Sequence, residues 1–524
     1  MTRRVPDWLD ERSGYRTGLR HLLDESLPPG TGWWFTLGSV LLFLLTVQLA
    51  TGAFLTLYYA PTPDHAYASV RFITEDVTLG WLVRGLHYFG ASFIVVFAGV
   101  HLLRVVAFGS YKRPRELTWL SGVAMLLVIL AFALTGYLLP WDQRAYWATV
   151  VTINIARSAP LAGELAASIL RGGAEIGALT LSRWYAVHVV LLPGVLVLLV
   201  TGHLFLMRRH GISGPIAERP GPRPLFYPEQ AARDLVVILG AAAVLLALAW
   251  RGVPPLERMA DPTDASYVPR PEWYFLSLFQ LLKYFPGPLE PLAAHVVPAL
   301  AVLALVLLPW LDRGAARDPR RRPIVMGGVG VGVLAVAVLT ALGWRDRPPA
   351  RDPGLLTPRE IAGQVWLEAA GCATCHGNGS VAGELGRAPL SRPPFWLAAH
   401  VADPEVIAPG VREAPVVNER EIEAIVAWVR RLADGDPIPE PPARDRPGAL
   451  VFARFCVGCH TIDGDGGDDG PNLSRVGATR EREWLRRWIT NPRDVDPDAN
   501  MPAFGRQLSA EQIDTIAAYL ASRR

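Results

Sequence analysis

The chain contains 524 residues, of which 51% are hydrophobic and 19% are charged, and its formal net charge is +3. That length exceeds one compact domain, and the charged fraction is lower than the ~25% of average soluble proteins. The composition excludes a single soluble domain, and the small net charge gives no indication of a nucleic-acid partner.

The first 30 residues carry charges of both signs and show no signal-peptide pattern. Apolar residues such as Trp8, Leu19 and Leu23 are interspersed among them. We therefore predict that residues 1–30 form an amphipathic N-terminal segment lying along a membrane surface.

Seven long stretches almost free of charge follow in the first 345 residues. With their apolar flanks, most approach the ~20 residues that a helix needs to cross a bilayer. Buried core helices of a soluble protein explain one or two such stretches but not seven. The predicted spans contain residues 40–59, 95–108, 124–139, 189–206, 235–250, 296–309 and 324–344.

Lysine and arginine residues cluster in the N-terminal segment and in the loops after the second, fourth and sixth predicted spans. With seven spans, all four clusters lie on one side of the membrane, and the positive-inside rule makes that side cytoplasmic. The expected location is a prokaryotic cytoplasmic (inner) membrane. The N-terminus is then cytoplasmic, and everything after Trp344 is extracytoplasmic (periplasmic).

Four histidines lie within predicted spans: His87 and His101 in the second, His188 and His203 in the fourth. Steps of fourteen and fifteen residues return to nearly the same helix face about 21 Å further along. Since the two spans run in the same direction, His87 faces His188 and His101 faces His203. A buried, hydrogen-bonded histidine explains one such residue, but two matched pairs predict two non-covalent b-type haems with bis-imidazole ligation.

Glycines repeat the fourteen-residue step in the first and third spans, at Gly38, Gly52, Gly122 and Gly136. Backbone without Cβ admits the edge of a porphyrin, although small residues also serve ordinary helix packing. Arg84 and Arg104 each lie three residues from a histidine. They either pair with haem propionates or extend toward the membrane surface.

Several segments resemble cytochrome b of the quinol-oxidising bc complexes, above all the branch that includes the chloroplast plastoquinol–plastocyanin reductase. In that branch the four-helix and three-helix parts are separate chains. Residues 31–215 resemble the four-helix dihaem part, and residues 216–345 resemble the three-helix subunit IV-like part. The resemblance rests on residues 80–88 (GWLVRGLHY), 135–147 (TGYLLPWDQRAYW), 180–188 (TLSRWYAVH), 211–215 (GISGP) and 271–276 (PEWYFL).

The resemblance implies a separate Rieske-type iron–sulfur protein, quinol as substrate, surrounding membrane lipid and a homodimeric complex. The chain departs from that branch at one position. Relatives carry a cysteine near the start of the first span that holds an extra haem, whereas this chain has Thr36 in that region and no cysteine before Cys372. We therefore expect no such extra haem.

The PEWY segment, residues 271–274, lies between the fifth and sixth predicted spans, on the extracytoplasmic side. Quinol oxidation releases protons, and a carboxylate in an apolar pocket suits their acceptance. Glu272 is the candidate base, as the resemblance also implies, and Tyr137 is a candidate wall of the same pocket. The alternative is an interfacial aromatic belt with one solvated glutamate.

After a linker rich in Arg, Asp and Pro, the four cysteines occur in two Cys-x-x-Cys-His segments. This pattern is the attachment signal of c-type haem, with two thioethers and a proximal histidine. A zinc ribbon usually has its cysteine pairs about 15–20 residues apart, whereas 84 residues separate these. The segments predict two covalent c-type haems at Cys372, Cys375 and His376 and at Cys456, Cys459 and His460.

The C-terminal half is an internal repeat of two small helical domains resembling class I cytochromes c, residues 346–438 and 439–524. Met501 is the predicted sixth ligand of the second haem. The first repeat has no methionine, so either His400 is its sixth ligand or its iron is five-coordinate.

The predicted fold is all-α: a seven-span bundle, four helices with two b haems plus three more, followed by the two cytochrome c domains. The predicted function is the haem-carrying subunit of a proton-translocating quinol:cytochrome c oxidoreductase. Its electrons would reach a cytochrome c or a terminal oxidase. The alternative is a membrane-anchored multihaem relay that does not itself oxidise quinol.

Overall fold

The computed structural model describes residues 4–216, 222–257, 259–260, 262, 267, 269–346, 356–376, 385, 394–404, 417–433, 440–467 and 469–524. Helices dominate these ranges, and the one sheet among them is the short antiparallel pair Thr461–Ile462 and Asp465–Gly466. Residues 1–257 and 269–346 form one compact unit, and residues 258–268 and 347–524 form a second.

Among the residues that the structure describes, the first unit contains seven helices long and apolar enough to cross a membrane, which confirms the predicted fold class. A helix satisfies its backbone hydrogen bonds internally, so it is suited to a solvent without water. In chain order, the first to seventh spans are Leu37–Thr56, Gly80–Ala107, Glu116–Leu138, Ala178–His210, Phe226–Arg251, Gly287–Leu311 and Pro323–Arg345.

The spans pack with their neighbours and leave broad apolar faces outward. The first packs against the second, the third against the fourth, and the fifth against the first two. The sixth contacts the third, and the seventh packs on the short helix Leu276–Lys283. Side chains such as Leu198, Leu300 and Val331 are exposed. Apolar surface on this scale indicates contact with lipid rather than water.

Shorter helices connect the spans or precede them. Trp8 and Leu9 lie exposed on the first of these. The bounds are Arg4–Ser13, Tyr15–Leu23, Ala66–Glu75, Gln143–Arg157, Gly163–Arg171 and Leu276–Lys283.

The fourth span contains a π-helical turn, Val187–Leu191, that includes His188. A π turn accommodates one residue more than an α turn and often occurs at functional sites. This explains why fifteen residues separate His188 from His203 while fourteen separate His87 from His101. The extra residue is absorbed locally, so both spans present their histidines on one face.

A buried ionic cluster joins the loop after the second span to the loop after the sixth. Tyr111 donates a hydrogen bond to Asp312, and Lys112 pairs with Asp312 at 2.8 Å. Arg322, whose side chain is only 2% exposed, lies 3.4 Å from the same carboxylate. Removing one member would leave a buried charge unpaired, which is strongly destabilising. The cluster therefore fixes the three-helix part against the four-helix part.

The second unit contains two helical repeats. Capping boxes start one helix in each, at Thr357 with Glu360 and at Ser509 with Gln512. The helix bounds are Pro358–Ala369, Ala373–His376, Pro394–Ala402 and Glu419–Ala433 in the first repeat, and Asp445–Phe455, Arg482–Thr490 and Ala510–Ser522 in the second.

Each repeat has a close helix crossing made possible by glycine. A Cβ at Gly363 would lie 1.9 Å from the carbonyl oxygen of Ala424, and one at Gly448 would lie 2.2 Å from Cβ of Tyr519. Ile361 and Trp428 of the first repeat also share a hydrophobic core with residues of the second. The repeats are therefore packed together, and the boundary at 438/439 stays a prediction.

Candidate haem-binding cavity and quinol site

A cavity of about 1190 Å³ runs through the four-helix part of the first unit. All four span histidines and all four predicted glycines line it, and most of its wall is apolar. Ligand cavities commonly enclose about 300–1000 Å³, so this one exceeds the needs of a single small molecule. Its size and composition fit large, flat, apolar cofactors.

The histidines meet across the cavity in the predicted combinations. The ring centres of His87 and His188 are 6.4 Å apart. Two imidazoles bound on opposite sides of one metal ion, at bonds of about 2 Å, have ring centres roughly 6 Å apart. His101 and His203 line the same cavity, further along the second and fourth spans. The donor set therefore fits two bis-imidazole haems.

Each predicted glycine lies against one of these rings. A Cβ at Gly136 would come within 2.6 Å of Cε1 of His188, and one at Gly52 within 3.2 Å of Cε1 of His87. The corresponding distances to His203 and His101 are 3.6 Å from Gly122 and 4.0 Å from Gly38. Gly136 and Gly52 thus make room for the imidazole rings themselves, whereas a Cβ at Gly122 or Gly38 would be at ordinary contact distance.

Three hydroxyl side chains that the sequence did not single out hold these rings. Nδ1 of His87, His188 and His203 lies 2.9–3.0 Å from a Thr or Ser oxygen. The residues are Thr51, Thr135 and Ser121. Each directly precedes one of the glycines, so a Ser/Thr-Gly pair in a span facing a histidine is the signal that finds them.

The two predicted arginines differ in their surroundings. Arg84 donates to the carbonyl oxygens of Pro254 and Pro255, at 3.2 and 3.1 Å, and so holds the segment after the fifth span. Arg104 lies between the rings of Phe35 and Phe108, 4.2 and 4.6 Å from their centres.

Part of the Arg104 guanidinium is buried without a protein partner. Its Nε and Nη2 have no hydrogen-bond acceptor among the residues that the structure describes. A buried cation needs an anionic partner. Since Arg104 lines the cavity beside His101, it fits a haem propionate there, and Arg84 does so less well because its donors are engaged.

Glu272 lines the same cavity as His87 and His188. Its carboxylate is 13% exposed and accepts hydrogen bonds from Tyr88, at 3.2 Å, and from Arg144, at 3.1 Å. Arg144 also pairs with Glu257 at 2.9 Å, so one guanidinium bridges two carboxylates. Tyr88 follows His87 directly in sequence. The carboxylate and the predicted metal ligand therefore share one wall of the cavity.

Neighbouring residues position this segment. Tyr137 lines the cavity and donates to the carbonyl oxygen of Arg270 at 3.0 Å, just before the PEWY segment. Trp273 donates to Ser92 of the second span at 3.2 Å. Burial, and secondarily Glu272, raise the pKa of Tyr274 well above its ordinary value, so its hydroxyl stays protonated.

In the second unit none of the four cysteines is in a disulfide, so each can form a thioether bond. His460 uses Nδ1 in a 2.9 Å hydrogen bond to the carbonyl of Pro471, which leaves Nε2 for a metal. Met501 packs against the core of the same repeat. In the first repeat, the rings of His376 and His400 have centres 6.0 Å apart, and Trp396 stacks on His400 at 5.3 Å.

Comparisons with known proteins agree with this arrangement. Residues 22–211 match the family model "Cytochrome b/b6/petB" and residues 259–358 match "Cytochrome b(C-terminal)/b6/petD". Residues 443–520 match "Cytochrome C oxidase, cbb3-type, subunit III".

Individual relatives and a solved structure extend the comparison. The chain is 35% identical over 327 residues to the cytochrome bc complex cytochrome b subunit of Chlorobaculum thiosulfatiphilum, covering 61% of this chain and 76% of the relative. It is 39% identical over 212 residues to cytochrome b6 of Synechococcus sp. (strain RCC307), covering 40% and 97%. A structure titled "Hyperthermophilic respiratory Complex III" matches with a TM-score of 0.60 at 30% identity, covering 66% and 92%.

The fold, the cavity and these similarities define a multi-pass membrane protein of electron transport, with b-type haems and c-type haem among its cofactors. The chain belongs to the cytochrome b family of bc- and b6f-type complexes, and it has an oxidoreductase role.

Proposed function

We propose that this chain is the haem-carrying subunit of a quinol:cytochrome c oxidoreductase that couples quinol oxidation to proton translocation. The observation that carries the proposal is the hydrogen bond between Glu272 and Tyr88, the residue next to His87. It places a proton acceptor and a predicted metal ligand in one apolar cavity. A relay without quinol chemistry has no need of that carboxylate.

We assign four haem sites to the chain. In the membrane unit His87 with His188 and His101 with His203 would hold the irons of two b-type haems, and Arg104 would pair with a propionate at the second pair. In the other unit Cys372, Cys375 and His376 bind one haem, and Cys456, Cys459, His460 and Met501 bind another. When bound, the haems supply one-electron carriers.

His400 is our assignment for the sixth ligand of the first c-type haem. Its ring centre is 6.0 Å from that of His376, close to the 6.4 Å between His87 and His188. Its Nδ1 is buried without an acceptor in the described part of the chain. In the second repeat Trp488 stacks on Trp484 as His400 stacks on Trp396, so a histidine stands where the other repeat has an apolar ring.

The chemistry at the outer pair is the oxidation of quinol to quinone, which releases two electrons and two protons. Glu272 accepts one proton on its carboxylate, and Arg144 holds that carboxylate in the cavity. One electron would pass to a separate Rieske-type iron–sulfur protein and the other to the haem that His87 and His188 would hold, while the second proton would be released on the extracytoplasmic side. Tyr137 positions the PEWY segment through its hydrogen bond to the carbonyl oxygen of Arg270.

The orientation follows from the positive-inside rule. The N-terminus is cytoplasmic, quinol is oxidised on the extracytoplasmic side, and the c-type domains are periplasmic in a prokaryotic inner membrane. A cytochrome c or a terminal oxidase is the acceptor, and the complex is a homodimer surrounded by lipid. The similarity to a bc-complex cytochrome b subunit and to a Complex III structure supports membership of such a complex.

Quinol-dependent cytochrome c reduction by the purified complex tests the proposal. We expect activity in the natural complex and a large loss in Glu272→Gln, with haem content unchanged. Glu175→Gln, an exposed loop glutamate, is the matched control. Undiminished turnover in Glu272→Gln would show that Glu272 is not the proton acceptor. Absence of quinol oxidation in the natural complex would favour a membrane-anchored multihaem electron relay.

A pyridine haemochrome spectrum tests the cofactor count independently. We expect two b-type and two c-type haems per chain. Fewer than two of either type would contradict the assignment of ligands.

A further inference from the structure

Three of the four span histidines have the same hydrogen-bonding environment. Thr51 lies 3.0 Å from Nδ1 of His87, and Thr135 lies 3.0 Å from Nδ1 of His188. Ser121 lies 2.9 Å from Nδ1 of His203. In each case a hydroxyl from a neighbouring span contacts Nδ1, so Nε2 is the ring nitrogen that stays available for a metal.

The direction of these hydrogen bonds follows from what each hydroxyl does with its hydrogen. Thr51 donates to the carbonyl of Val47 at 2.6 Å, Thr135 to Ala131 at 2.8 Å, and Ser121 to Thr118 at 2.8 Å. A hydroxyl has one hydrogen and two lone pairs. Each oxygen is therefore the acceptor toward the imidazole, Nδ1 carries the hydrogen, and Nε2 is left for iron.

The fourth histidine lacks this partner. Thr51, Ser121 and Thr135 directly precede Gly52, Gly122 and Gly136, but the residue that directly precedes Gly38 is the buried Leu37. Among the described residues, Nδ1 of His101 is buried and has no hydrogen-bond partner. The hydroxyl of the next residue, Thr36, is directed to the carbonyl of Trp33 instead.

An acceptor on Nδ1 raises the basicity of the imidazole and orients it. A more basic ligand stabilises the oxidised iron, so it lowers the reduction potential, and second-shell hydrogen bonding is one of the protein's means of tuning that potential. The His87/His188 site, here called the outer site, has two such acceptors, Thr51 and Thr135. The His101/His203 site, here called the inner site, has one, Ser121.

We propose that Leu37 raises the reduction potential of the His101/His203 site by withholding from His101 the hydrogen bond that the other three histidines receive. This inference rests on the haem sites of the proposed function. Electron transfer from the outer site to the inner site oxidises the first and reduces the second, and no other reactant is needed. Leu37 is thus a positioning residue that favours electron transfer across the membrane.

Redox titration of the two b-type haems in the purified complex tests the proposal, with their α-bands as the signal. Leu37→Thr introduces an acceptor, and Leu37→Val is its matched control because Val and Thr differ only by a methyl in place of the hydroxyl. We expect Leu37→Thr to lower one midpoint potential relative to Leu37→Val. A tenfold shift of the inter-haem equilibrium corresponds to about 59 mV.

Two further variants show which b-type haem has the shifted potential. They also test the inference independently if the protein does not fold with threonine at position 37. Ser121→Ala removes the acceptor of His203, so it should raise the potential of the same haem that Leu37→Thr lowers. Thr135→Val should raise the potential of the other haem.

Equal potentials in Leu37→Thr and Leu37→Val, or no shift in Ser121→Ala and Thr135→Val, would overturn the inference. A complex that contains two b-type haems and oxidises quinol normally would then leave the proposed function intact. A complex without two b-type haems would contradict the proposed function instead.

Discussion

Tyr88 and Glu272 share a hydrogen bond of 3.2 Å although 184 positions separate them in the chain. The contact links the four-helix part to the PEWY segment at the level of His87. It is reinforced by Arg144, which binds Glu272 and Glu257 together.

We predict that Arg144→Gln lowers quinol-dependent cytochrome c reduction about tenfold or more, because a displaced base at a reacting centre costs rates of this order. Haem content should not change. Arg157→Gln is the control, since Arg157 lies on the same helix and its pair with Glu164 is largely exposed. Exposed pairs contribute little. Equal activities of the two variants would contradict the positioning role of Arg144.

The four glycines provide a graded series. The distance from a Cβ to Cε1 of the facing histidine increases from 2.6 Å at position 136 through 3.2 and 3.6 Å to 4.0 Å at position 38. Overpacking costs about 1–3 kcal/mol where neighbours cannot move. Gly136→Ala should therefore lose the most b-type haem and Gly38→Ala the least, measured as haem per purified chain. The reverse order would contradict the contact geometry.

Arg104 and Arg84 form a matched pair of basic residues. Arg104→Gln removes a cation beside the inner site, so the potential of that haem should fall and its occupancy should decrease. Arg84→Gln should instead weaken the segment that contains Pro254 and Pro255 and leave the inner potential unchanged. Titration of the b-type haems separates the two outcomes. If the potential of the haem at the His101/His203 site shifted in Arg84→Gln and not in Arg104→Gln, the assignment of Arg104 to that haem would be wrong.

His400→Met changes the proposed sixth ligand from imidazole to thioether. Histidine/methionine ligation raises the potential of a c-type haem. We therefore expect the first c-type haem to titrate at higher potential, closer to the second. His65→Met, far from both haems in sequence and in the other unit, is the control. An unchanged potential and spectrum in His400→Met would favour a five-coordinate iron.

Asp142 gives the protein a pH-dependent stability. Burial raises its pKa to about 6, against the effect of hydrogen bonds from the backbone N–H groups of Ala145 and Glu257. The raised value means that folding favours the protonated acid. The stabilisation is complete below the unfolded pKa of about 4, is lost as the pH rises through about 6, and amounts to about 3 kcal/mol.

Asp142→Asn should abolish this dependence, since asparagine caps the helix Gln143–Arg157 without titrating. The difference in Tm between the natural complex and the variant should change between about pH 4 and pH 7. Asp64→Asn, at an exposed loop position, should give a constant difference. If Tm changed with pH in the same way in Asp142→Asn and in the natural complex, the raised pKa of Asp142 would be contradicted.

Much of the fold could be predicted from the sequence because lipid and helix geometry are strict constraints. The seven spans follow from apolar length, and the pairing of His87 with His188 follows from helical repeat and parallel direction. The structure lengthens several spans, since polar residues such as Arg84 continue the helix while facing the protein interior.

The remaining features depend on contacts that sequence patterns do not encode. Arg144 is 128 positions from Glu272, and nothing in either segment indicates their pairing. Only their place directly before Gly52 and Gly136 indicates that Thr51 and Thr135 contact the imidazole rings, because a hydroxyl in an apolar helix most often bonds only its own backbone. The core shared by Ile361 and Phe452 likewise joins two repeats that look independent in sequence.

The ionic cluster of Tyr111, Lys112, Asp312 and Arg322 has a consequence for how the chain can be divided. Together with the hydrogen bond from Trp119 to the carbonyl of Leu305, it holds the third and sixth spans together without using the connection between the fourth and fifth. The Synechococcus cytochrome b6 aligns over almost its whole length with 212 residues of this chain. These ionic and hydrogen-bond contacts join the two parts of the membrane unit directly, so their packing does not depend on the peptide connection between the fourth and fifth spans alone.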